Sequence, residues 1–125
     1  MTGLRKAALV TGAARRIGAA IAERLSAEGF AVALHSSHGS SQAAEALAAR
    51  LNAAGGQAAV IVADLGVADE VAGLIGRARG AVGPLSVLVN NASMFEPDAA
   101  DDFDLARWDR HFAVNLRAPA VLARD

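Results

Sequence analysis

The sequence predicts an α/β fold in which a parallel β-sheet is covered by helices on both faces. Four short apolar runs alternate with three segments whose apolar residues recur at helical spacing. The runs are continuously apolar rather than alternating, which is typical of strands that are buried on both faces. Such an alternation favours a doubly wound sheet, in which each helix crosses over between parallel strands.

The first strand and helix are predicted at the start of the chain. Ala7–Val10 forms an apolar run and is followed by the turn residues Thr11 and Gly12. Apolar residues then recur with a helical period, namely Ile17, Ala20, Ile21 and Leu25. Gly29 follows the last of them, where a glycine commonly ends a helix. Residues 30–34 are the second predicted strand.

The same unit is predicted twice more along the chain. The polar segment 36–41 precedes a second helix that ends before Gly55 and whose apolar face contains Ala44, Leu47, Ala48 and Leu51. Residues 58–62 are the third predicted strand. A single third helix is expected over residues 71–82 in spite of its interior glycines, and the fourth strand is expected at Leu85–Val89.

The last part of the sequence predicts a loop and a final helix. Residues 93–102 are rich in loop-forming residues, and a helical pattern runs from about Asp104 to the end. Pro119 is expected to kink this helix or to begin a new one. No glycine, proline or capping residue marks the end of the sequence at Asp125. We therefore expect one domain, residues 1–125, that is incomplete.

Composition and charge narrow the classes of function. The chain has 125 residues and a net charge of −1, with basic and acidic residues interleaved, so neither nucleic acid nor an anionic membrane is an expected partner. It contains no cysteine, which rules out disulfides and thiolate metal sites, and we expect no bound metal. The first apolar run is too short for a signal peptide. A cytoplasmic protein with a small-molecule partner is expected.

A glycine-containing turn between the first strand and the first helix predicts an anion site. Backbone N–H groups in the first turn of a helix, with the helix dipole behind them, stabilise a phosphate group by roughly 0.3 to 1 kcal/mol from the dipole alone. Adjacent arginines add positive charge. The alternative is an ordinary strand-to-helix connection. The residues expected to contact a pyrophosphate are Gly12, Arg15, Arg16, Ile17 and Gly18.

The segment after the second strand favours NADP(H) over NAD(H). An acidic residue in this position binds the ribose hydroxyls of NAD and would repel a 2′-phosphate. Here the segment contains Ser36, Ser37 and His38, and the first carboxylate is Glu45 within the next helix. These side chains and Arg15 can donate hydrogen bonds to a phosphate. The alternative is a serine-rich loop whose hydroxyls only cap the next helix.

Two further motifs carry a resemblance to a known family. Asp64 and Leu65 follow the third strand, and Asn91 and Ala92 follow the fourth. With the glycine turn, these residues resemble the short-chain dehydrogenase/reductase family over essentially the whole chain. The resemblance implies a Rossmann-like sheet with strand order 3-2-1-4. It also implies that Asp64 accepts from the adenine amino group and that Asn91 and Ala92 lie against the cofactor. Taken singly, each motif also fits a turn cap or a strand end.

Two departures from the commonest family pattern resemble the pteridine reductase branch. Arg16 stands where the turn usually has a second glycine, and Ser93 stands where the Asn-Asn-Ala motif usually ends in glycine. The resemblance implies that both residues contact cofactor and substrate and that Phe95 stacks on a pterin ring. The alternative for Phe95 is a packing role. His38 stands where this branch tends to have an arginine for the 2′-phosphate.

The resemblance supplies one catalytic residue and leaves two without a counterpart. Asn115 matches the asparagine of the family that holds a water beside the catalytic lysine; the alternative is a helical asparagine near a proline kink. In this family a tyrosine donates the proton and a lysine four residues later lowers its pKa. The chain contains no tyrosine, and its only lysine is Lys6, before the first strand.

Association with other protein surfaces is also expected. The edge of the strand Leu85–Val89 lacks a neighbour in the implied sheet order, and the final helix has an apolar face that includes Val121 and Leu122. Unpaired edges and apolar patches favour association. We expect this surface to be covered by further chain or by another copy, and the intact protein to be a homo-oligomer.

Three functional hypotheses remain at this point. The first is an NADPH-dependent reductase that transfers hydride to a pterin or dihydrofolate-like ring. The second is a carbonyl or 3-oxoacyl reductase of the same family, for which Arg16, Ser93 and Phe95 would be incidental. The third, from another class, is a dinucleotide-binding fragment that performs no chemistry.

The absence of a proton donor gives the first testable prediction. A protein consisting of these 125 residues alone is expected to reduce no substrate, because it has no tyrosine and no lysine placed to activate one. The measurement is NADPH oxidation with pterins and ketones, using material whose mass has been verified. Detectable turnover would contradict the prediction.

Overall fold

The predicted α/β architecture is confirmed by the computed structural model, which describes residues 5–125. One parallel sheet contains β1 (Ala7–Val10), β2 (Ala31–Ser36), β3 (Gln57–Val62) and β4 (Leu85–Val89). The strand order is β3-β2-β1-β4, as the family resemblance implies. The first two strands are central and are buried along their whole length, which explains why β1 and residues 31–34 of β2 are apolar; β2 ends in two buried polar residues, His35 and Ser36.

Helices cover both faces of the sheet. The helices are α1 (Arg16–Ala27), α2 (Ser41–Ala53), α3 (Ala68–Ala72), α4 (Leu74–Val82), α5 (Leu105–Phe112) and α6 (Ala118–Arg124). Val10, Val32 and Leu34 pack with residues of α1 and α2 on one face. Leu9 and Ile61 pack with residues of α3, α4 and α6 on the other. Alternate residues of each strand thus supply two separate cores.

The third predicted helix is wrong in one respect. Instead of one helix over residues 71–82, the chain forms the short helix α3 and then α4, separated at Gly73. Gly73 lacks a side chain and is a poor helix former, so the chain can leave and re-enter the helical path there at little cost. Val71 before the break and Leu74 after it pack in the same core.

The predicted irregularity at Pro119 is confirmed, and it takes the form of a widened turn. Residues Ala113–Arg117 form a π-helical turn between α5 and α6, and Pro119 lies in the first turn of α6. Proline has no N–H, and its ring crowds the carbonyl four residues earlier, which belongs to Asn115. A π turn lengthens this part of the helix and relieves that crowding. Such turns are frequent at functional sites.

The carboxyl ends of all four strands meet at one edge of the sheet, because the strands are parallel. The loops that follow them carry the residues predicted to be functional. Trp108 and Phe112 of α5 form an exposed aromatic face with Phe103, which precedes the helix. The Trp108 ring lies 5.4 Å from that of Phe103 and 5.2 Å from that of Phe112, measured between ring centroids. Among residues 5–125, no helix is both long and apolar enough to cross a membrane.

Candidate functional site

A cleft of about 530 Å³ opens at the carboxyl ends of the strands. It is bounded by the turn before α1, by the segments that follow β2, β3 and β4, and by α5 with the π turn. The predicted residues that line it are Gly12, Arg15, Arg16, Ile17, Gly18, Ser36, Ser37, Asp64, Leu65, Asn91, Ala92 and Ser93. Three predicted residues, His38, Phe95 and Asn115, do not line it.

The turn after β1 is held by polar contacts from both neighbouring strands. Gly12 has a φ of +62°, a backbone conformation that glycine adopts without strain. The Asn91 side-chain amide donates to the carbonyl oxygens of Thr11 and Gly12, each at 3.1 Å. The Thr11 hydroxyl oxygen accepts from the N–H groups of Asn91 and Ala92, each at 3.0 Å. Asn91 thus stabilises this turn through direct hydrogen bonds, and its contact with the cofactor stays a prediction.

Gly18 lies where the first turn of α1 contacts both the glycine turn and β4. A Cβ atom at this position would collide with the carbonyl oxygen of Gly12 and would lie 2.6 Å from the Asn91 side-chain nitrogen. Only glycine allows α1 to approach so closely. The N–H groups of its first turn, which have no carbonyl partner within the helix, are therefore brought to the cleft.

Arg16 adopts a backbone conformation that is unusual for a residue with a side chain. Its φ is +54°, in the left-handed region, and it is the first residue of α1. The geometry of this turn thus suits the glycine that most members of the resembled family have there. A non-glycine residue in this region costs on the order of 1 kcal/mol or more and persists where surrounding structure or function requires it. Arg16 and the neighbouring Ile17 are both exposed, and both line the cleft.

The two serines and the histidine predicted at the end of β2 and after it differ in burial and in their contacts with the cleft. Ser36 is buried at the end of β2, whereas Ser37 is exposed and donates from its hydroxyl to the Ser40 hydroxyl at 3.3 Å. Ser40 also lines the cleft, and its hydroxyl does not cap α2. His38 Nε2 lies 3.0 Å from Glu70 Oε1, outside the cleft lining.

Glu70 was not expected near this segment, since it comes from α3. Its Oε1 also accepts from the Asp64 N–H at 2.9 Å, and that bond and then the His38 contact lower the pKa of Glu70. Although the segment contains no carboxylate, the fold thus brings one to His38. The role of His38 as a phosphate ligand stays a prediction.

Asp64, at the end of β3, forms an ion pair that the sequence did not indicate. Arg110 of α5 donates to both carboxylate oxygens, from Nη2 to Oδ1 at 2.9 Å and from Nη1 to Oδ2 at 3.4 Å. The Gly66 N–H also donates to Oδ1, at 2.8 Å. The Arg110 contact first, and the Gly66 N–H second, lower the pKa of Asp64, so the carboxylate is ionised at neutral pH. A Cβ at Gly66 would meet the guanidinium, so a larger residue there would require the end of the Arg110 side chain to shift.

The segment after β4 is fixed by the predicted catalytic asparagine. Asn115, in the π turn, accepts from the Met94 N–H and donates to the Met94 carbonyl oxygen, both at 2.8 Å. Ser93 lies just before this anchor and lines the cleft. Phe95 lies just after it, with 85% of its surface exposed. The structure does not bring Phe95 into the cleft, and its pterin-stacking role stays a prediction.

One residue beside the glycine turn was missed entirely. His35 on β2 is 3% exposed, and its ring contacts the Gly12 N–H and the Ala63 carbonyl oxygen. Burial lowers the pKa of His35. A histidine within an otherwise apolar strand, next to a polar segment, was the only signal in the sequence.

The sheet order, the glycine turn and the cleft at the carboxyl ends of the strands define a Rossmann-like α/β domain. The family model for short chain dehydrogenases matches residues 6–125. The chain therefore belongs to the short-chain dehydrogenase family.

Relatives of this chain include enzymes with different substrates. It is 38% identical over 114 residues to the 3-oxoacyl-(acyl-carrier-protein) reductase FabG of Staphylococcus aureus. The matched residues make up 91% of this chain and 46% of that relative. Among solved structures, FolM alternative dihydrofolate reductase 1 from Brucella suis in complex with NADP is 49% identical with a TM-score of 0.91, covering 96% of this chain and 49% of that one.

A third relative is a blue fluorescent protein from a metagenomic library, solved in complex with NADPH. It is 37% identical with a TM-score of 0.91, covering 97% of this chain and 49% of that one. The chain thus spans about half the length of the relatives that it matches.

The backbone of Arg16 leads to a testable prediction about stability. Alanine is normally the better helix residue, but at a φ of +54° its Cβ is strained whereas glycine is not. We expect Arg16→Gly to be more stable than Arg16→Ala by about 1 kcal/mol in free energy of unfolding. Both variants remove the same charge, so urea unfolding of the pair isolates the backbone effect. A more stable alanine variant would show that residue 16 is not strained.

Proposed function

We propose that the cleft binds NADP(H) and that the whole protein is an NADPH-dependent reductase. The observation that carries the cofactor proposal is the close approach of α1 to the Gly12 turn, because it presents the first-turn N–H groups and two arginines to one cleft. The cofactor's pyrophosphate has the charge and size for this position. When bound, the nicotinamide supplies the hydride that the reaction transfers.

The adenosine end of the cofactor is proposed to lie toward β2 and β3. Ser37, Ser40 and Arg15 line this part of the cleft and are the proposed donors to the 2′-phosphate. Asp64 is proposed to accept the adenine amino group through Oδ2, since Oδ1 already accepts from Gly66 and makes the shorter contact with Arg110. NADP in the FolM structure and NADPH in the blue fluorescent protein support this choice of cofactor.

For the substrate, we propose a pterin or dihydrofolate-like ring. Support comes from Arg16 and Ser93, which line the cleft, and from the similarity to the FolM alternative dihydrofolate reductase. In this proposal Arg16 and Ser93 orient the ring, and Phe95 covers it. The chain's own residues hold the reactants, whereas the proton donor is not among these 125 residues.

A second candidate substrate is a 3-oxoacyl thioester. The specific observation that favours it is the 38% identity to the 3-oxoacyl reductase from Staphylococcus aureus. In that case Phe95, which is exposed and outside the cleft lining, has no substrate role.

Self-association is also proposed. The aromatic face of α5, formed by Phe103, Trp108 and Phe112, is between 45% and 49% exposed and continues onto Leu116 in the π turn. Aromatic residues at such exposure are typical of protein interfaces. This face supports the expectation of a homo-oligomer. The apolar face of the final helix does not, because Leu122 is buried and Val121 packs against the same core, so the expectation that this face needs an outside partner is wrong.

Cofactor selectivity is tested through Arg15. We expect Arg15→Ala to weaken NADPH binding by about 10- to 100-fold, the loss of a charge-assisted hydrogen bond, and to leave NADH binding much less changed. Arg24→Ala is the control, because it removes the same charge from the last turn of α1, where Arg24 pairs with Glu28. Fluorescence titration with both cofactors is the measurement. Wild-type binding of NADH as tight as NADPH, or equal losses for both cofactors, would overturn the selectivity proposal.

The substrate class is tested by comparing turnover. The full-length protein is assayed with dihydrobiopterin, dihydrofolate and an acetoacetyl thioester, and we expect the ring compounds to have the higher kcat/KM. Phe95→Leu should lower kcat/KM for the ring compounds by about tenfold through lost stacking while leaving the thioester unaffected. A preference for the thioester, with no effect of Phe95→Leu, would favour the second candidate.

A further inference from the structure

The ring of His35 joins the ends of three neighbouring strands. His35 itself lies on β2, its Nδ1 is 3.0 Å from the N–H nitrogen of Gly12 after β1, and its Nε2 is 2.9 Å from the carbonyl oxygen of Ala63 after β3. The residue is 3% exposed, so water does not compete for these bonds. The ring therefore lies beneath the turn that borders the cleft.

The two partners fix the protonation state of the ring. A peptide N–H only donates and a carbonyl oxygen only accepts, so Nδ1 must be the acceptor toward Gly12 and Nε2 must carry the hydrogen toward Ala63. His35 is therefore a neutral imidazole with its proton on Nε2. A doubly protonated ring would direct a second N–H at the N–H of Gly12 and break that bond.

His35 also determines which N–H groups of the turn are available to a ligand. Its ring takes the Gly12 N–H, and its carbonyl oxygen accepts the Ala13 N–H at 2.9 Å. On the other side, Asn91 binds the Gly12 carbonyl oxygen. With these groups occupied, the donors that the turn presents to the cleft come from the residues after Ala13, in the approach to α1 and its first turn.

We propose that His35 is a positioning residue for the phosphate-binding turn: its neutral ring, held by Ala63, accepts the Gly12 N–H and so fixes the direction of the N–H groups that bind the pyrophosphate. This role rests on the proposed cofactor site. In this proposal His35 acts through Gly12, because both of its ring nitrogens are taken by backbone groups.

The surroundings of the ring set the sign of its pH dependence. Burial lowers the pKa of His35 below the ordinary histidine value of about 6.5, the Ala63 bond opposes this, and the positive charge of Arg77 on α4 adds to it. Of the other charged groups around the cleft, Asp64 pairs with Arg110. Because the folded-state pKa lies below the unfolded one, the contribution of His35 to stability is complete above about pH 6.5 and is lost as the pH falls through the folded-state pKa.

Cofactor affinity should show the same dependence on pH as the contribution of His35 to stability. NADH is the diagnostic ligand, because NADPH carries a 2′-phosphate that titrates in the same range. We expect the affinity of the full-length wild-type protein for NADH to fall as the pH is lowered from 7.5 toward 5. A His35→Asn variant can offer an oxygen near the Nδ1 position and does not titrate, so its affinity should change less with pH.

A pair of variants separates positioning from simple structural loss. His35→Asn retains an acceptor for the Gly12 N–H. The longer side chain of His35→Gln places its amide nitrogen near the position of Nε2, so it retains the donor toward Ala63 but not the acceptor for Gly12. At pH 7.5 we expect His35→Gln to weaken NADH binding by about tenfold, as expected for loss of the Gly12 bond, and His35→Asn to restore most of the affinity.

His111 provides the matched control. Its ring also bridges backbone groups, the Glu96 N–H at 3.0 Å and the Arg107 carbonyl oxygen at 2.8 Å, but it lies outside the cleft lining. His111→Gln should leave both the NADH affinity and its pH profile close to those of the wild type. Equal effects of the His35 and His111 substitutions, or parallel pH profiles for wild type and His35→Asn, would overturn the proposal.

A measurement without cofactor distinguishes failure of this proposal from failure of the proposed function. Nitrogen-15 NMR of the imidazoles should show His35 with hydrogen on Nε2 and an unprotonated Nδ1, titrating below 6.5. A ring protonated on Nδ1, or one that titrates at or above 6.5, would refute the assignment whether or not a cofactor binds. If neither cofactor binds at any pH, the positioning role fails with the proposed function, even if the NMR result is as expected.

Discussion

The arrangement of this domain depends on one steric constraint, the contact between the first turn of α1 and the turn that follows β1. Residue 18 has no space for a side chain, because the carbonyl oxygen of Gly12 and the amide of Asn91 occupy the position of its Cβ. This close approach determines where α1 lies on the sheet. It also brings the N–H groups of the first helical turn to the edge where all four strands end. Arg16 lies in the same connection, where it has a φ of +54° directly after the extended Arg15.

Polar side chains make this crowded region rigid without leaving unpaired groups. Thr11, His35 and Ser36 are buried polar residues, and they all lie at the carboxyl ends of β1 and β2. In the described part of the chain, no buried side-chain nitrogen or oxygen lacks a hydrogen-bond partner. Since a buried unpaired group costs about 1 to 3 kcal/mol, Thr11 and His35, whose partners belong to neighbouring strands or the segments after them, depend on those strands being in register. Ser36 instead donates to the carbonyl oxygen of the next residue, Ser37. The turn that borders the cleft is thus held from β2 by His35 and from β4 by Asn91.

The strands and the glycine turn were predictable because their signals are local. A short run of apolar residues predicts a strand that is buried on both faces, and a left-handed turn selects glycine, so β1 and Gly12 follow from neighbouring residues alone. The contacts that tune the site join residues far apart in the sequence. Arg110 reaches Asp64 across 46 residues and Glu70 reaches His38 across 32. No periodicity relates such partners, and each charge in isolation is also compatible with a solvated surface. The break at Gly73 was missed for a different reason, since the apolar spacing continues through it.

The helix α5 and the π turn after it connect the proposed cofactor end of the cleft to the segment proposed to hold the substrate. Arg110 of α5 binds Asp64, and His111 accepts from the Glu96 N–H in the segment after β4. One turn later, Asn115 holds both backbone groups of Met94.

Pro119 favours the π turn that contains Asn115, because a proline cannot supply an N–H to a regular helix. The extra residue in this turn changes the direction in which Asn115 projects relative to Arg110 and His111. Because Ser93 and Phe95 flank Met94, which Asn115 holds by both backbone groups, the placement of these two residues depends on the π turn.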